Sequence, residues 1–126
     1  MVNAGRDPLA AATYRSLVGG RSVVVSFVTI TEMRFGAIKA AWSEVRRRGL
    51  ERALSQLVVV QPDDDLMRIC AELRANCMAV AHPLGQKVHE ADRWIAATAM
   101  ALGVELVSSD TVFNGISGLA VLAPAT

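Results

Sequence analysis

The feature that most constrains this chain is a set of short apolar runs spaced by helix-length stretches. Residues 22–29 (SVVVSFVT) are nearly all apolar and rich in β-branched side chains, and residues 57–60 (LVVV) repeat the pattern. A strand with one wet face alternates apolar and polar residues. An unbroken apolar run suits a strand covered on both faces, as in a parallel sheet. Further strands are expected at residues 104–108 and 119–122.

Helices fill the intervals. A first is expected from Leu9 to about Leu17, with Asp7 as N-cap, Pro8 at its first position and Gly19-Gly20 beyond its end. Residues 31–42 and 44–57 read as two more, the second amphipathic and arginine-rich. Pro62 and Asp63, Asp64 and Asp65 open a helix to about Val80, with the acids as caps and a solvated turn. The segment His82-Pro83-Leu84-Gly85 is a break. Residues 91–102 form a last helix, closed by Gly103. Strands alternating with helices argue for an α/β layered domain with a mainly parallel sheet.

The chain has 126 residues, enough for one domain with a real core. With 52% hydrophobic and 20% charged residues the composition is globular and not disordered. Thirteen basic against twelve acidic residues leave a formal charge of +1, so any nucleic-acid contact must come from a local patch. Charges break every apolar stretch before it reaches membrane-spanning length. Residues 1–9 carry no basic-then-apolar leader pattern. Cys70 and Cys77, seven positions apart, fall on one helical face and read as small core residues. These features together lead us to expect a cytoplasmic protein.

In open α/β sheets, ligands gather beyond the carboxyl ends of the strands. Glu32, Asp92 and Asp110 fall there. Asp92 is the most informative. Its helical neighbours at i+3, i+4 and i+7 are Ile95, Ala96 and Ala99, so its carboxylate lies along the packed face. A charge there is costly unless compensated. The helix N-terminus gives partial relief, and a divalent cation would give more. Both readings, helix cap and metal ligand, stand at this point.

Residues 89–122 (HEADRWIAATAMALGVELVSSDTVFNGISGLAVL) resemble the C-terminal half of the PIN-domain toxins of the VapC type. The shared pattern is Asp92, the Ile95 to Ala99 helix, Gly103, Ser108 and Asp110, Phe113, and Gly118-Leu119. Upstream, SFVTITEMRFGAIKA is similar to the family's strand and Thr-x-x-Glu segment, with Glu32 as its acid. The resemblance spans about residues 8–122. It implies a PIN-like three-layer α/β/α fold over a single domain, residues 1–126. It implies an endoribonuclease dependent on Mg²⁺ or Mn²⁺, acting on tRNA or rRNA. It implies a cognate VapB-type antitoxin and the possibility of a homodimer. Glu32, Asp92 and Asp110 carry over as catalytic, metal-binding acids.

Three departures accompany the likeness. Members begin with an apolar strand ending in a metal-binding aspartate; here residues 1–3 run almost directly into the first helix, so that strand and that aspartate are expected to be missing. Asp7, beside Pro8, is a poor substitute. Val112 stands where many members carry an acid, and Ala91 where an Asn often precedes the helix aspartate. An upstream start codon and a degenerate gene are both open explanations. The functional alternative to a nuclease is therefore an inactive PIN remnant that only binds antitoxin or RNA. A third is an unrelated α/β domain without metal.

The basic concentration is Arg46-Arg47-Arg48, with Arg34, Lys39 and Arg52 nearby. Arg46 and Arg47, with Lys87 close to Asp92, are the candidate RNA contacts; a solvated helix face is the competing reading. His82 and His89 lack metal-ligand spacing and are assigned to a loop and a helix start. Trp42 and Trp94 read as core or partner-groove residues and not as base-stacking platforms.

Overall fold

The computed structural model describes residues 13–15 and 24–124. In chain order they form β1 (Thr13–Arg15), β2 (Val24–Ser26), α1 (Phe27–Lys39), α2 (Glu44–Leu54), β3 (Val58–Val60), α3 (Asp64–Ala79), α4 (Glu90–Leu102), β4 (Glu105–Val107) and β5 (Val121–Leu122). Short 3-10 turns at Pro83–Gly85, Lys87–His89 and Thr111–Phe113 join the later elements. Among the described residues no helix is long and apolar enough to cross a membrane.

The strands pair β2 with β3 in parallel, β4 with β5 in parallel, and β1 with β4 antiparallel. Alternation along β2 and β3 shows why their runs are apolar throughout. Val24 and Val60 pack against a core built from α3, α4, Leu106 and Phe113. Val25 and Val59 pack against a second core of Ile30, Met33, Ala37, Leu50 and Leu54, from α1 and α2. Successive side chains of a strand point to opposite faces, so helices cover both faces of this pair. The expected α/β/α layering with mainly parallel pairing is thus observed.

Two expectations are corrected. The first helix was expected to run through Leu17, but Thr13–Arg15 is a strand, in register with Val107, Leu106 and Glu105. A β-branched and an aromatic residue favour extended backbone, and β4 gains a partner on its open edge. The rest of that expected helix, with Asp7, and the expected loss of a first strand and aspartate, lie outside the described residues. The second correction concerns β2, which ends at Ser26 and not at Thr29. The Ser26 hydroxyl accepts from the Val28 N–H and starts α1 at Phe27. Val28, Thr29 and Ile30 are buried as the first turns of a helix, a setting that periodicity does not separate from a strand in so short a run. Glu32 therefore lies in the second turn of α1 and not in its first.

The remaining elements follow their caps. Asp63 accepts from the Leu66 N–H at 2.8 Å, while Asp64 and Asp65 pair with Arg68, so the acid triplet is a helix start as expected. Cys70 and Cys77 are buried on α3, and burial pushes both thiols above their usual range. Three helices close by the same device, in which a left-handed residue lets its own N–H and that of the next residue return to the last turn. Gly103 does this after α4 at φ 64°. After α1 and α3 the residue is alanine, Ala41 at φ 55° and Ala81 at φ 56°. Beyond Ala81, the His82 N–H reaches the Cys77 carbonyl at 2.8 Å and turns the chain back over α3. Gly85 then lies so close to α3 that an added Cβ would sit 2.9 Å from the Met78 backbone nitrogen.

Two substitutions test this return. Ala81→Gly relieves the left-handed strain and is expected to stabilise the chain by about 0.5–1 kcal/mol. Gly85→Ala forces the turn off α3 and is expected to destabilise it by about 2 kcal/mol. Urea midpoints read both.

Candidate active site

Helix α4 positions the first acid. Ile95, Ala96, Ala97, Thr98 and Ala99 are all buried, and the small side chains let α4 approach α3 and the sheet closely. Asp92 lies in its first turn on that same side, as its spacing from Ile95, Ala96 and Ala99 predicts. Its side chain keeps 28% exposure, and Oδ2 sits 3.1 Å from the His89 Nδ1.

Helix α1 brings the second. Phe27, at its start, meets Trp94 of α4 edge to face, with ring centroids 5.4 Å apart. The contact joins the beginnings of the two helices and sets Glu32 within electrostatic reach of Asp92. Glu32 is solvent-exposed at its surface, yet its carboxyl is pushed above the usual carboxylate value. Desolvation by the surrounding protein is the larger cause, and the negative charge of Asp92 adds to it. One turn earlier, Thr29 is buried with a hydroxyl that has no hydrogen-bond partner among the described residues.

Asp110 has a different local role. Its Oδ1 accepts from the Val112 N–H at 3.0 Å and caps the turn Thr111–Phe113, while its own N–H donates to the Ser108 hydroxyl. Phe113, which this turn delivers to the core, is only 2% exposed. Among the described residues the acids do not converge as a group of three able to hold a metal ion. What links two of them is electrostatic, the charge of Asp92 acting on Glu32.

The basic candidates separate. Arg46 lies over the Trp42 ring, 3.9 Å from its centroid, and Arg47 and Arg48 are exposed beside it on α2. Arg34 is taken by a two-point pair with Glu51, at 3.0 and 2.8 Å. Lys87 is exposed in the turn that leads into α4.

One residue with a bearing on the site went unread in the sequence, and a second was read only in part. Arg93 is 3% exposed, and its Nη1 donates to the Leu84 and Gln86 carbonyls. It clamps the segment before α4 onto the helix. His89 stands at the helix start, as assigned, but its ring engages Asp92. The available clue was its position three residues before an acid at a helix start.

A layered α/β domain with parallel strand pairs, and with acids brought together where its helices begin, defines a class that includes the PIN domains. The chain belongs to the PIN-domain family, whose family model matches residues 2–119. Its likeness within the family is to the VapC type. It is 29% identical over 100 residues to Ribonuclease VapC5 of Mycobacterium tuberculosis, a match covering 78% of this chain and 71% of that protein. Its fold is similar to that in the crystal structure of VapBC2 from Rickettsia felis bound to a DNA fragment from their promoter. That likeness has a TM-score of 0.68 at 22% identity and covers 81% of this chain and 74% of the other.

The raised carboxyl of Glu32 has a definite pH signature. A raised folded-state value means that the folded chain holds its proton more tightly than the unfolded chain. That contribution to stability is fully present below the ordinary value of 4.5 and is lost as pH rises through the raised one. Glu32→Gln is therefore expected to melt higher than the parent at neutral pH without added cations. The gap is expected to close as pH falls below the ordinary carboxylate value. Paired melting curves across pH read the difference.

Proposed function

We propose that this chain is a divalent-cation-dependent endoribonuclease and the toxin of a type II toxin–antitoxin pair. The observation that carries the reading is the Glu32 carboxyl, raised above its ordinary value first by partial desolvation and then by the charge of Asp92. Carboxylates that feel one another's charge offer oxygen donors, the kind that Mg²⁺ and Mn²⁺ favour. The buried Thr29 hydroxyl one turn from Glu32 adds an unmatched polar atom to the same helix. Family membership and the likeness to a ribonuclease support the activity.

In this reading Glu32, Asp92 and Asp110 hold the cation, with Asp110 offering the oxygen not used in its cap. When bound, such a cation supplies Lewis acidity and offsets charge on the phosphodiester under attack by water. The chain's own residues fix the geometry. Arg93 anchors the approach to α4, and the Phe27–Trp94 contact sets the spacing between α1 and α4. Lys87, exposed before Asp92, meets an RNA phosphate; Arg46 and Arg47 on α2 form a separate basic contact for the RNA backbone. A VapB-type antitoxin is the proposed partner, tRNA or rRNA the proposed substrate, a homodimer the proposed assembly, and the cytoplasm the proposed setting.

A second reading has its own observation. Asp110 is engaged as a cap, and no three-acid group forms among the described residues. That favours a binding module that holds antitoxin or RNA without cutting.

Cleavage of RNA by the purified chain with Mn²⁺ or Mg²⁺, beside an EDTA control and Asp92→Asn, decides between them. Metal-dependent cutting is expected. Asp92→Asn is expected to lower it by at least about a hundredfold, the upper end of what losing even a supporting residue of a metal site costs. A folded chain that binds RNA but leaves it intact with either metal would establish the binding module instead.

A further inference from the structure

The start of α4 contains a side-chain pair that does not serve the helix end. His89 holds the N-cap position at φ −98° and ψ 26°, away from the extended geometry that capping residues adopt, and its side chain makes no capping hydrogen bond. Asp92 stands at the third helical position, where an acid commonly reaches back to the N-cap backbone N–H. Here that N–H is already used, donating to the Gln86 carbonyl at 3.0 Å. Gln86 is itself held by the buried Arg93. The backbone on both sides of the pair is therefore fixed without either side chain.

Each side chain instead engages the other. A carboxylate only accepts hydrogen bonds, so the Nδ1 carries the hydrogen and donates to Asp92 Oδ2 at 3.1 Å. Both side chains are about one-third exposed, at 30% and 28%, and the charge of Asp92 is felt at Glu32. A pair this exposed contributes little to stability. What it does do is settle which way the Asp92 carboxylate turns.

We infer that His89 is a positioning residue for Asp92, holding Oδ2 so that Oδ1 is the oxygen presented to a divalent cation. The inference rests on the proposed function and deepens it. A ligating carboxylate free to rotate must be ordered when the cation binds, whereas one fixed by a neighbour is ordered in advance. His89 touches neither the cation nor the RNA in this scheme; it acts through Asp92.

The test uses the full chain as parent, His89→Ala, His89→Asn and Asp92→Asn, with melting curves to establish that each folds. The asparagine amide nitrogen falls where the histidine Nδ1 lies, so that variant retains the donor. Mn²⁺ affinity is read by the electron-spin resonance of free Mn²⁺, and RNA cleavage is resolved into kcat and KM. In His89→Ala, Mn²⁺ affinity and kcat are each expected to fall about tenfold, with KM for RNA within about twofold. His89→Asn is expected to restore both. Parent-like Mn²⁺ affinity and kcat in His89→Ala, while Asp92→Asn has lost both, would overturn the role of His89 and leave the proposed function standing. A higher melting temperature in His89→Asn with no recovery of Mn²⁺ affinity would reduce the position to helix capping and also overturn it. Parent-like Mn²⁺ binding in Asp92→Asn would remove the acid site itself, and the inference with it.

Discussion

The close packing of α4 is the constraint on which the rest depends. From Arg93 to Ala99 every residue except Trp94 is buried, and three of them are alanines with no exposed surface. Small side chains bring the helix axis near its neighbours, so α4 touches α3, α1, β2, β4 and the turns before and after it. A helix gripped on so many sides has little freedom to shift. Its first turn, where Asp92 sits, inherits that fixity. Leu84, Leu106 and Phe113, all nearly inaccessible, complete the surround, and each contributes about 2 kcal/mol by burial.

Polar contacts then set the chain's path into α4. His82 is held between two backbone groups: its Nδ1 accepts from the Leu84 N–H at 3.0 Å, and its Nε2 donates to the Asn114 carbonyl at 2.6 Å. Arg93 takes the Leu84 and Gln86 carbonyls from the other side. A guanidinium so deeply buried without carbonyl partners would be costly. With them it becomes a fixed clamp, and the segment 82–89 is tied at once to α3, α4 and the turn after Asp110. The parts that carry Asp92 and Asp110 are thus linked through backbone groups and not only through packing.

The same arrangement imposes a cost. Phe27 against Trp94 draws α1 onto α4 and sets Glu32 in the field of Asp92. The Glu32 carboxyl in that relation opposes folding at neutral pH, and nothing in the hydrophobic core requires it. The stability the chain gives up near Glu32 is recovered through a core that covers both faces of β2 and β3.

The sequence by itself determined the layered class, the positions of α2, α3 and α4, the acid cap at Asp63, the Gly103 closure and the packed-side placement of Asp92. Each follows from local periodicity or from one residue's conformational preference, which a neighbouring stretch of chain suffices to express. The start of α1 was misplaced, because a β-branched run buried on a helix looks like a strand until Ser26 is seen to cap it. The strand at Thr13–Arg15 was missed because its partner, β4, lies about ninety residues away. Ala41 and Ala81 gave no sign of left-handed backbone, since alanine does not advertise it as glycine does. Only the tertiary structure decided that Glu32 feels the charge of Asp92, that Arg93 is buried as a clamp, and that His89 turns toward an acid instead of capping its helix. These are contacts across elements or choices among competing partners. Their energies depend on distance and desolvation, which exist only once the chain has folded.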